Sequence, residues 1–478
     1  MIIRCIQKSF MKITVMILFF SVSCLLACIA LASTDFRGFN FTDWSSDGYG
    51  SAEALSSAIA MEKTGSNTYT LIVTEYMDSA NSSAIVSKSG KTPSQESLVT
   101  LITQLKARGH KVILKPHVDF QDNTFRGDFV PAKTSEWFDQ YREMMNKYAE
   151  IAAHSGADIL CVGTELKGTT RYADEWRRVI ADARSRFGGS LTYAADWTNY
   201  DKVSFWDSLD YAGIDAYFPL SYESEPSMAA LVDGWMIQRA RIDAWQASHG
   251  KPLLLTEVGY RNSDDAASKP WAWGDNPEQD DELQQKLYRA TAIAWADVPY
   301  LAGMQWWEWR ACGVEKSVDF SPRNKEAGDF LSSWYSGNIE FEIADCRASY
   351  ERLKRARESS DRGFFRKFLD FMAGKGFKSD SELKMDLADA EKTFSVSLAS
   401  LDRAIDLSVS KPLKKSVGAN SMSMGSRNFK SLQDQLQALE QRLAEAFQNG
   451  DLTEISMLKH EISVLRSTMR ADSSKRTR

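Results

Sequence analysis

Two glutamates stand directly behind apolar runs. Glu165 ends Leu160-Cys161-Val162-Gly163-Thr164-Glu165, and Glu257 ends Leu253-Leu254-Leu255-Thr256-Glu257. A carboxyl group at the end of an apolar strand can transfer a proton or attack as a nucleophile. Two that converge on one bond are what glycosidic cleavage needs: one protonates the leaving oxygen, and the other attacks the anomeric carbon or activates water. Either glutamate alone reads equally well as a surface or salt-bridged carboxylate, so the chemistry rests on the pair. Groups suited to sugar hydroxyls and sugar faces fall behind other apolar runs: Asn40 and Trp44, His117 and Asp119, Asp196 and Trp197, Tyr217, and then Trp306, Trp307 and Glu308. Strand alternation lets only one of Trp306 and Trp307 face a site, and Trp306 is the one expected there. Trp271 and Trp273 either wall a cleft or pin a long loop. His117 with Asp119 offers metal-ligand types, but His110 and His154 fall on helical patterns, so neither metal nor cofactor is expected. No nucleophile-elbow or Ser-His-Asp pattern is present.

The elements that must position these residues alternate from about residue 37 to 335. Strands are read at Gly38–Phe41, Tyr69–Thr74, Val112–Pro116, Ile159–Gly163, Leu191–Ala195, Tyr211–Ala216, Leu253–Thr256 and Gly303–Trp307, most of them apolar on both faces. Helical periodicity lies between and after them at Ser51–Lys63, Ser94–Arg108, Glu136–His154, Ala173–Arg186, Met228–His249, Glu282–Trp295 and Glu326–Trp334. Gly65, Gly109, Gly156, Gly188 and Gly250 each follow a helix, where a left-handed cap favours glycine. Eight strands in such alternation predict an α/β chain closed as a (β/α)8 barrel, with its site on the loops after the strands. Strands four and seven then face each other across the mouth. An open doubly wound sheet is the alternative, but no Gly-rich phosphate turn follows the first strand.

At these same residues the sequence resembles glycoside hydrolase family 113, a clan-A barrel family of mainly retaining β-1,4-mannanases. The segments that carry the resemblance are Gly38-Phe39-Asn40-Phe41, Lys115-Pro116-His117-Val118-Asp119, Gly163-Thr164-Glu165-Leu166, Thr192-Tyr193-Ala194-Ala195, Phe205-Trp206-Asp207-Ser208-Leu209-Asp210-Tyr211, Ala216-Tyr217-Phe218-Pro219-Leu220, Glu257-Val258-Gly259-Tyr260 and Phe320-Ser321-Pro322. The resemblance implies that Glu165 is the general acid/base and Glu257 the nucleophile, with Tyr217 bonding near the nucleophile. It implies a β-linked oligo- or polysaccharide as partner, with β-mannan as the default. Glucan, amino-sugar and exopolysaccharide chains stay open, as does endo against exo attack. Two positions depart from the expected pattern: Thr164 stands where most clan relatives place Asn, and Asp196 where Asn is expected. A non-catalytic sugar-binding protein of the envelope is the competing class, and it predicts a displaced or salt-bridged Glu165.

The rest of the chain is organised around this barrel, expected over 34–338. Residues 1–32 carry Arg4, Lys8 and Lys12, an apolar run from Ile13 to Leu31 and a small-residue end, the pattern of a secretory signal with Met11 as an alternative start. Cleavage after Ala32, acylation at Cys28 and an uncleaved anchor are the three outcomes such a segment allows, so the protein is expected to be secreted or periplasmic, or held at a membrane. Beyond the signal the cysteines are Cys161, Cys312 and Cys346, an odd number at no metal-like spacing, which argues against a disulfide framework. The net charge is −6 with the acidic excess before about residue 338, and nucleic acid is not an expected partner. Trp is absent after Trp334; 339–410 reads as charged helix and 411–428 as a flexible linker. Residues 429–470 repeat Leu, Ile and Phe at three- and four-residue steps with a break at Asn449-Gly450-Asp451, which predicts a helical hairpin or coiled coil for packing, self-association or envelope contact.

Overall fold

In a computed structural model, residues 36–273, 277–296, 298–360 and 380–409 are described. The signal at 1–32, the linker at 411–428 and the helical repeat at 429–470 lie outside them. Eight parallel strands close into one barrel in sequence order, a (β/α)8 fold. They are β1 (Phe36–Thr42), β2 (Thr68–Met77), β3 (Lys111–Phe120), β4 (Ile159–Thr164), β5 (Ser190–Asp196), β6 (Tyr211–Asp215), β7 (Leu253–Val258) and β8 (Leu301–Arg310). The helices are α1 (Ala52–Glu62), α2 (Gln95–Ala107), α3 (Thr134–Ser155), α4 (Ala173–Arg186), α5 (Met228–His249), α6 (Asp281–Trp295) and α7 (Glu326–Tyr335). The β5–β6 crossover departs from the strict repeat: its two short 3-10 turns, Tyr200–Lys202 and Trp206–Ser208, take the place of an α-helix. Phe205 and Trp206 fill that space, packing on Trp176, Tyr193 and Trp245.

Local chemistry starts and stops the helices. Side chains of Ser51, Ser94, Ser227 and Asp280 accept backbone N–H groups at four N-termini. Gly156 and Gly250 end α3 and α5 in the left-handed region, as expected. Gly188 does not: α4 ends on an extended Phe187, and Gly188 keeps an ordinary φ. At Gly38 the requirement is space, since a Cβ there would lie 1.7 Å from the Thr68 carbonyl oxygen of the adjoining strand.

Strand alternation sorts side chains between the barrel interior and the helix layer. Phe36, Ile113, Ile159 and Leu254 form the interior floor at the strand starts. Two and four residues beyond Ile113 on the same face stand Lys115 and His117. The upper interior holds Ile72, Tyr217, Trp307 and Phe320. Several strand pairs shift register, and two of the shifts fall just before the glutamates. Against β5, Cys161 and Thr164 of β4 oppose Thr192 and Ala194, and against β6, Leu255 and Glu257 of β7 oppose Ile214 and Asp215. Each strand thus carries one extra residue just before its glutamate, and such a bulge re-aims the side chains that follow.

Past the barrel, α8 (Glu340–Ser360) and α9 (Asp380–Val409) pair with each other and lie on the helix layer. Ile343, Cys346, Tyr350, Phe394, Leu401 and Ile405 are buried in one continuous core with the barrel helices. Polar contacts fasten the pair: Arg347 donates to the carbonyls of Ala294 and Ala296 at 2.9 and 2.7 Å, Arg357 meets Asp233 at 2.9 Å, and Arg289 meets Asp402.

Candidate active site

The cleft at the C-terminal ends of the strands has a volume of about 560 Å3. Glu165 and Glu257 both line it, from opposite sides of the barrel. Glu165 follows the β4 bulge with φ at 53°, a left-handed conformation rare for a residue with a side chain and typical of places where geometry is imposed by function. Its side chain is 15% exposed, and the Arg126 guanidinium lies 3.9 Å from its carboxyl, too far for a hydrogen bond. Burial, with the negative charges of Asp215 and Glu257, pushes Glu165 well above the usual carboxylate range, and Arg126 offsets this only in part.

The surroundings of Glu257 are of the opposite kind. Tyr217 donates to Oε2 at 2.7 Å, and the Lys115 ammonium bonds to Oε1. Lys115 is fully buried and also donates to Asp215 Oδ1 at 3.0 Å. Burial would lower the Lys115 pKa, but the two carboxylates outweigh it and hold the ammonium charged. Asp215 is pushed up to about 7 by burial and by Glu257, against the pull of Lys115.

A second cluster flanks Glu165. Arg126, in the loop after β3, donates to His117 Nδ1 at 3.0 Å and pairs with Asp119. A guanidinium therefore lies between the two residues that resembled metal ligands. Burial and the cations Arg126 and Lys115 hold the His117 pKa well below its usual range, so the ring is neutral. Asp196 closes the turn after β5, accepting from the Thr198 N–H at 2.8 Å, and lines the cleft beside Trp197.

Aromatic side chains form the remaining wall. Trp197 and Trp271 stack with centroids 5.5 Å apart, while Trp273 tilts over Phe320 at 4.7 Å and meets Trp307 edge-on at 6.5 Å. Of the residues expected here, His117, Asp196, Trp197, Tyr217 and Trp307 line the cleft, and five do not, among them Glu308, which is fully buried and accepts from the Thr42 hydroxyl at 2.8 Å. Trp306 points away: it stacks on Tyr288 at 4.0 Å and donates to the Tyr335 hydroxyl at 2.8 Å, because Gly303, Gln305 and Trp307 take the inward positions of β8. Asn40 is wholly buried, donating to the Thr256 carbonyl at 3.0 Å. Trp44 is 40% exposed outside the lining, and Asp119 serves Arg126. The sequence reading passed over Lys115, Arg126 and Asp215 as functional groups. Lys115 and Asp215 had a visible signal, a charge at an inward strand position among apolar residues; Arg126 sits in a loop and had none.

The sequence profile of Glycoside Hydrolase Family 113 matches residues 36–324. The chain belongs to that family. Solved family 113 structures resemble it over the barrel. One is the β-mannanase from Alicyclobacillus acidocaldarius in complex with ManMIm, at 26% identity and a TM-score of 0.58, covering 64% of this chain and 98% of that one. Another family 113 β-1,4-mannanase is 25% identical with a TM-score of 0.57, covering 63% of this chain and 98% of its own. Among curated proteins none matches the chain. The family 113 match ends before α8 and α9, although those helices share the barrel's core.

Proposed function

We propose that this glycoside hydrolase is a retaining, endo-acting β-mannanase-like enzyme with Glu257 as nucleophile and Glu165 as general acid/base. The observation that supports it is the contrast between the two carboxyl groups. Burial pushes Glu165 towards its protonated form, whereas Glu257 receives an ammonium and a phenol hydrogen bond. In the first step a Glu257 oxygen bonds to the anomeric carbon, the bond to the leaving sugar breaks, and the departing oxygen takes the Glu165 proton. In the second, water attacks the anomeric carbon, gives its proton to Glu165, and the ester electron pair returns to Glu257. Retention follows from the two inversions.

The tryptophan wall supports a polymer substrate, since flat apolar rings take the faces of successive pyranoses. The mannose preference rests on the family and on the names of the two relatives above. The basic and then apolar N-terminus supports export as the setting in which such a polymer is met. Incubation of the full-length protein with manno-, gluco-, xylo- and chito-oligosaccharides, with proton NMR of the first-formed anomer, tests the reading. Cleavage of mannosides giving the β-anomer first is expected. Failure to cleave any of the four, or first release of the α-anomer, overturns it.

A further inference from the structure

We infer that Lys115 and Asp215 form a buried positioning pair for Glu257, with Lys115 fixing the attacking carboxylate and Asp215 holding Lys115 when that carboxylate is consumed. The inference rests on the proposed roles of Glu165 and Glu257. Its basis is that Lys115 has no solvent exposure and two acidic partners, Glu257 Oε1 and, at 3.0 Å, Asp215 Oδ1. A buried cation left without a partner is strongly unfavourable. In the glycosyl-enzyme Glu257 is an uncharged ester, so a lysine paired with Glu257 alone would be stranded halfway through each turnover. Asp215 removes that penalty, because the Lys115–Asp215 pair survives esterification.

Tyr217 holds the other oxygen, so the carboxylate plane is set by donors on β3 and in the loop just after β6. The charged and titratable groups around the trio are few. Just past β4, Glu165 faces it with burial favouring its protonated form, and the β4 thiol of Cys161 is pushed up to about 11 by burial. Arg126 approaches from the loop after β3, and Asp196 stands beyond Glu165 on β5.

The pair makes opposite predictions for its two members. In the full-length protein, Lys115→Met raises the pH at which Glu257 ionises by about one to three units, since an opposite charge within bonding distance is lost. Asp215→Asn lowers it, because Glu257 then keeps the lysine and loses a negative neighbour. Titration of 13C-carboxyl-labelled glutamates reads this without turnover, the Glu257 resonance being the one lost in Glu257→Gln. In kinetics, the acid limb of kcat/KM moves up in Lys115→Met and down in Asp215→Asn, with kcat falling in both and KM changed little. Lys115→Arg, which keeps the charge, restores the limb. Displacements in the same direction, or an unmoved Glu257 titration in both variants, overturn the positioning role. A wild-type protein inactive on every oligosaccharide overturns the proposed function instead, and the titration still decides the role of the pair.

Discussion

At the scale of single residues the site sets a carboxyl group that burial pushes towards its protonated form opposite one that receives an ammonium and a phenol hydrogen bond. As the proposed general acid Glu165 must carry its proton, so activity is expected to fall as pH rises through its raised pKa. Glu165→Gln should lower kcat by about 10²–10⁴-fold and erase that basic limb, a result read from pH profiles of kcat/KM. The same raised pKa has a stability consequence. Glu165 binds its proton more tightly folded than unfolded, so its contribution is full below the unfolded pKa and is lost as pH rises through the folded one. Calorimetry should therefore show the melting temperature of Glu165→Gln gaining on wild type as pH rises above about 4 and through the raised pKa. Tyr217→Phe removes one hydrogen bond to a charged oxygen, worth about 1.5–3 kcal/mol, and kcat/KM should fall accordingly with the fold intact by circular dichroism.

At the scale of elements, the strands and helices were legible because apolar runs and 3.6-residue periodicity mark them, and the positions of Glu165 and Glu257 followed from the strand ends. Side-chain facing was less legible. Simple alternation puts Leu254 and Glu257 on opposite faces, yet both reach the interior, because a bulge in β7 adds a residue between them. A bulge leaves no mark in composition. On β8 the error was different: Trp306 and Trp307 are chemically identical, and only the register through Gly303 and Gln305 separates them. The separation is measurable. Trp306→Ala should cost about 3–5 kcal/mol in denaturant unfolding and leave KM nearly unchanged, whereas Trp307→Ala should raise KM for oligosaccharides at smaller cost in stability. The β5–β6 crossover was read within the repeat, but aromatic packing replaces its helix.

At the scale of the whole molecule, the change in composition after Trp334 suggested a boundary that the packing does not respect. Helices α8 and α9 share the barrel's core, so Phe394→Ala is expected to destabilise the entire protein by about 3–5 kcal/mol in a single transition, which thermal unfolding with two spectroscopic probes would verify. The path of this hairpin also fixes where the chain leaves. Phe36 begins β1 in the interior floor, Arg37 reaches the Tyr335 carbonyl at the end of α7, and Ser408 near the end of α9 meets Ser333 of the same helix. Both ends of the described chain therefore emerge on the face opposite the cleft. A tether at either end would pull on the barrel from the side away from the two glutamates.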